Sequence, residues 1–242
     1  MKERLRVFWS YFKNLGIKSL LLTTIYLAAS TVSLLVMLRA KELTLSAVLP
    51  IWVVCIVVAF AYNFFFSWTN GGLDYEMLVA GNIKRMAAEE RGELKVSRYK
   101  EDKEYRVWKG FFYGAIPALL VLVTGLVFGG NQNVISSALT EGKDTGNFGI
   151  TIFTLMMLSG WSVIPMVAAN AGGAAVSYFL SLLFALVPIV LSGAGYICGA
   201  YAKRAKALRQ QAMEEAERAR QENRPKKINY GGLPGTKPKK RK

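Results

Sequence analysis

The residues of this chain best equipped for chemistry are carboxylates, in two close pairs: Asp74 with Glu76, and Glu89 with Glu90. Hard divalent cations take oxygen ligands, so either pair could hold such an ion together with a phosphate. No motif surrounds them, and a solvated charged face is the plainer expectation. The chain has no His, which removes the Ser–His–Asp and Cys–His arrangements of nucleophilic catalysis. Ser192 stands beside glycines, but the Gly-Ala that follows gives it neither a nucleophile elbow nor a general base. Cys55 and Cys198 lie far apart in apolar segments. They read as small buried hydrophobes, and zinc, haem or iron–sulfur binding lacks its clustered ligands. No cofactor or metal is expected, and an enzyme is the less favoured class.

Polar groups within apolar stretches are the next candidates: Thr23, Thr24, Asn63 and Ser177, with Asn170 near an interface. The threonines can bond their own helix backbone. Asn63 would be the best polar site if it lay deep. Phe64, Phe65, Phe66 and Trp68 beside it resemble an aromatic belt, which puts it near headgroups instead. Gly193, Gly195 and Gly199 lie near the end of the last apolar stretch, with Gly195 and Gly199 on one helical face. Small residues at that spacing admit a second helix closely, from this chain or from a partner. They do not form a nucleotide-binding loop, for no soluble strand precedes them and no acidic partner follows.

The elements that must position these residues are set by charge. Thr145 to Ala202 contains no Asp, Glu, Lys or Arg, and uncharged runs also cover Ser19–Leu38, Leu43–Leu73 and Gly110–Thr140. A crossing of about 30 Å of hydrocarbon takes about 20 apolar residues, so lipid is the expected solvent. The expected fold is an all-α polytopic membrane protein. A basic, aromatic segment at 1–18 suits the headgroup level and leads into a retained signal anchor rather than a cleaved peptide. Residues 19–68 form a hairpin of two spans joined by the short Arg39–Leu43 turn, with Pro50 early in the second. Residues 69–109 form a charged cytosolic connector in which Tyr75, Val79, Ile83 and Met86 share one helical face, as an interfacial or stem helix. The hydrophobic module 110–202 holds a third span bent near Pro117, an external loop, a segment at 149–169 and a final span at 175–202, divided at Asn170–Ala174.

Hydrophobicity alone favours five spans. Basic residues cluster before the first span, in the connector and after Lys203, and the positive-inside rule puts all three on the cytosolic side. That requires an even number of crossings. The sequence therefore predicts four full spans plus a re-entrant or broken segment over 149–169, where Gly160, Trp161, Ser162 and Pro165 permit a break. Five spans with an exported tail are the alternative.

Residues 203–242 form a basic tail, helical up to Pro225 and then disordered in expectation. Net charge is +15 for the chain. Lys203, Arg204, Lys206, Arg209, Lys237, Lys239, Lys240, Arg241 and Lys242 are the candidate contacts to anionic headgroups or a partner. An acidic protein or RNA is the runner-up for the tail. The expected role is a non-catalytic component of the plasma or cytoplasmic membrane, amino terminus cytosolic, packed with a partner membrane protein or with copies of itself. The alternative is a small-solute transporter or channel.

Overall fold

A computed structural model describes residues 2–39, 45–92, 103–141 and 147–222. Those residues are helical apart from short connections: α1 Lys2–Arg39, α2 Leu45–Glu90, α3 Val107–Tyr113, α4 Ala115–Gly130, α5 Gln132–Glu141, α6 Asn147–Ala171, a 3-10 segment Tyr178–Ala185, and α7 Leu186–Glu222. Four helical stretches, Phe8–Arg39, Val48–Glu90, Phe148–Ala171 and Tyr178–Glu222, are long and apolar enough to cross a membrane. The segment expected to be re-entrant is thus one of the four, and the expected third span is the α3–α4 pair, bent by 45°. The turn after Arg39, Lys143, and the tail beyond Glu222 with Lys237, Lys239, Lys240, Arg241 and Lys242 lie outside the described residues.

Both hairpin helices outrun the apolar stretches that seed them. The basic amino-terminal segment is the first half of α1, and α2 continues through Trp68 to Glu90. The Tyr75–Met86 face is therefore a stem continuous with the second apolar stretch, with Val79, Ile83 and Met86 exposed. Pro50 is the sixth residue of α2, past the four orphan N–H groups of a helix start, so it cannot give the Ser46 carbonyl its helical donor.

The bend before α4 falls at Gly114, three residues ahead of Pro117. Pro117 cannot donate to the Tyr113 carbonyl and its ring crowds that turn. Gly114 absorbs the break, and a Cβ there would collide with the Pro188 backbone of α7.

In α6 the break falls at Ser159, whose φ of −145° and ψ of 27° leave the helical region. It is sharp. A Cβ built on Gly160 would lie 3.7 Å from the Met156 Cβ, where a regular helix keeps such positions about 5–6 Å apart. Both arms of α6 then pack into one apolar cluster with Leu34, Met37, Val48, Phe128, Ile135 and Tyr178. Phe148, Ile152, Leu155 and Met156 come from the first arm, and Val163, Ile164, Val167 and Ala168 from the second. Trp161, beside the break, joins a second cluster containing Leu22, Tyr26, Ile56, Ala59, Tyr113 and Tyr196.

Hydrogen bonds compensate the break. The Trp161 amide donates to Ser30 Oγ at 3.2 Å, Ser159 Oγ donates to the Leu120 carbonyl, and Ser159 also bonds Thr124. Pro165 deprives the Trp161 carbonyl of its helical donor, and the Trp52 indole supplies one at 2.7 Å. After α6, Gly173 takes a φ of +89° in the turn, and Asn170 clamps Val176 by donating to its carbonyl and accepting from its amide.

The described residues divide into two units, one up to Lys203 and the other from Arg204 onward. In the second unit, every described side chain from Arg204 to Glu222 is exposed, including Leu208 and Met213.

Candidate functional site

The most concentrated polar chemistry centres on Asp74. Its carboxylate is almost fully buried, because Gly71 and Gly72 before it bring α2 directly against α7: a Cβ at Gly71 would strike the Tyr196 carbonyl. Four elements meet there. Lys18 of α1 lies 3.4 Å from Oδ1, and Lys109 of α3 lies 3.5 Å from Oδ2. The hydroxyls of Tyr196 and Tyr113 donate to Oδ2 at 2.8 and 3.5 Å. Lys18 also donates to the Tyr113 hydroxyl at 3.0 Å. Two cations face one anion, so the group carries a net positive charge.

The connector closes over this group. The Tyr105 amide donates 2.8 Å to the Asp74 carbonyl, and its ring stacks on Tyr196 with centroids 5.1 Å apart. Burial, and then the neighbouring Tyr201, push the Tyr105 phenol above its usual 10.0. Lys109 donates to the Glu104 carbonyl and lies 5.3 Å from the Tyr11 ring centre. Glu104 is buried too, paired with Arg85 at 2.8 Å and lodged where Gly81 leaves room on the stem.

Asp74 has four donors around it, three on Oδ2 and one, Lys18, on Oδ1. The two lysines beside it disfavour a cation there. Among the described residues no group of three or more acidic, Cys or His side chains could hold a metal ion. The paired carboxylates part company: Glu76 reaches outward to Lys203 at 2.6 Å, and both of those are well exposed. Glu89 and Glu90 are exposed at the stem's end. Both cysteines are free, and Cys198 is exposed rather than buried.

The glycine candidates sit at contacts within the chain. Gly195 and Gly199 lie against the Phe64 and Trp68 carbonyls of α2, and Gly193 against the Phe111 ring of α3. Asn63 is completely buried within the helix bundle. Its amide donates to the Tyr26 hydroxyl at 2.8 Å and the Pro188 carbonyl at 3.1 Å. Asn170 serves the turn already described. Lys203 pairs with Glu76, whereas Arg204, Lys206 and Arg209 are exposed.

Sequence reasoning missed Lys18, Lys109, Tyr113, Tyr196, Arg85 and Glu104. A signal existed: Lys18, Asp74 and Lys109 are the charges that immediately border three uncharged runs. Comparison of the chain with known protein families, curated proteins and solved structures returns no match.

Proposed function

We propose that this chain is a non-catalytic membrane component, a subunit or scaffold that crosses the plasma or cytoplasmic membrane four times with both termini cytosolic. In this reading α1, α2, the bent α3–α4 pair, and the 3-10 segment with α7 are the crossings. α6 enters from the outer side, turns at Ser159 and returns. The shared cluster of its two arms supports that path, and so does the clustering of basic residues at one side.

The observation that carries the role is the buried Asp74 group. Ionisable residues in membrane proteins usually mark ion paths or relays, but here the carboxylate is held by donors from α1, α3 and α7 and joins them to α2. The charge fixes helix ends and leaves the stem of α2 to present Met77, Val79, Ile83 and Met86 outward. The partner is another membrane protein or a second copy of this chain, with anionic headgroups neutralising Arg204, Lys206 and Arg209. Extraction in mild detergent followed by mass measurement of the intact assembly tests this. A stoichiometric partner or a homo-oligomer is expected; a lone monomer would contradict it.

One observation favours transport instead. A helix broken in its interior resembles the discontinuous helices that line solute sites in carriers. In α6 the Trp161 amide is already taken by Ser30, which places this reading second. Solute flux in vesicles containing only the purified chain would promote it.

A further inference from the structure

Asn63 and Ser67 are both completely buried in the interior of the helix bundle. Asn63 Oδ1 and Ser67 Oγ have no hydrogen-bond partner. Leaving a buried polar atom unpaired costs about 1–3 kcal/mol, and such atoms are normally satisfied by protein or by ordered water.

The two residues are one helical turn apart on the same face of α2. That spacing puts their Cβ atoms about 5–6 Å apart, near enough for the two side-chain oxygens to share one hydrogen-bonded water. A third group is at hand. The Tyr26 hydroxyl accepts from the Asn63 amide, which leaves its own proton to be donated. A water there would accept from Tyr26 and donate to Asn63 Oδ1 and Ser67 Oγ, giving it the usual three partners of a buried water.

We infer that a water molecule is bound between Asn63 and Ser67 of α2 and Tyr26 of α1, inside the bundle. Asn63 thereby joins three helices: α2 itself, α1 through Tyr26, and α7 through Pro188. The water completes the set without requiring any helix to move.

Radiolytic hydroxyl labelling of the intact chain in lipid nanodiscs, performed in oxygen-18 water, tests this directly. Radicals formed from a bound water label the side chains that touch it. Tyr26 is expected to be labelled several-fold above Phe128, which is equally buried but in an apolar cluster. Replacement of the pair by Asn63→Leu with Ser67→Ala is expected to abolish the Tyr26 label. Labelling of Tyr26 no higher than Phe128 in the unmodified chain overturns the site, and that result needs no variant to fold. Labelling that disappears when sodium or potassium is added also overturns it, because the occupant would then be a monovalent cation.

Discussion

The Tyr196 hydroxyl donates to Asp74 Oδ2 at 2.8 Å, joining residues 122 positions apart. This bond ties α7 to α2, and Lys18, Lys109 and Tyr113 tie in α1 and α3. Removing the carboxylate should therefore be costly. Breaking a buried ion pair by deleting one partner costs about 3–5 kcal/mol, since the other charge stays buried and uncompensated. Asp74→Asn is expected to lower thermal stability in detergent by that order. Adding Lys109→Met should recover part of the loss, and a double-mutant cycle gives the coupling. If Asp74→Asn unfolds like the parent, the carboxylate is not holding the helix ends.

The glycines make a graded prediction. A side chain at Gly199 meets the Trp68 carbonyl of α2, which is backbone and cannot swing aside. Gly199→Leu is expected to cost about 3 kcal/mol or more through overpacking. Gly16 has open space around it within α1, so Gly16→Ala should raise stability by about 0.5–1 kcal/mol. Equal effects at the two positions in thermal unfolding would refute the α2–α7 contact.

Trp52 is expected to matter through one atom. Its indole is the donor that Pro165 removes from the Trp161 carbonyl. Trp52→Phe keeps most of the ring volume but strands that carbonyl, a loss of about 1–3 kcal/mol. Combining it with Pro165→Ala restores the helical donor and should recover stability. No recovery would show that the carbonyl is satisfied in another way.

Tyr105 predicts a response to alkali. Its folded phenol ionises above the usual value, mainly because burial penalises the phenolate. The folded chain thus keeps a proton that the unfolded chain gives up above pH 10.0. Its contribution is present below that pH and is lost as pH rises towards the raised folded value. Ultraviolet phenolate titration should show one fewer late-titrating phenol in Tyr105→Phe than in the parent. An unchanged number of late-titrating phenols would place Tyr105 in water.

Much of this fold was legible from the absence of charge. The uncharged runs give the apolar elements, and Pro117, Asn170 and Gly173 mark real irregularities. Helix limits were less legible, because a stem such as 69–90 is made of good helix formers whether it lies in lipid, on a surface or beside another element. The break in α6 occurs at Ser159 rather than at Gly160 or Pro165, since the deviation goes to the residue whose hydroxyl can reach Thr124 and Leu120. The Asp74 group was hidden for another reason. Composition marks Lys18, Asp74 and Lys109 as boundary charges, but only the antiparallel packing of α1 and α2 brings them to one level.

The central claim is that α6 leaves and re-enters the same side. It is tested most directly by single cysteines introduced at each end, Gly149→Cys and Ala174→Cys, with Thr236→Cys in the tail, in a chain carrying Cys55→Ala and Cys198→Ala. In intact cells, an impermeant thiol reagent should label positions 149 and 174 and spare 236 until the membrane is opened. Labelling of only one of the first two, or of 236 in sealed cells, would contradict the four-crossing account.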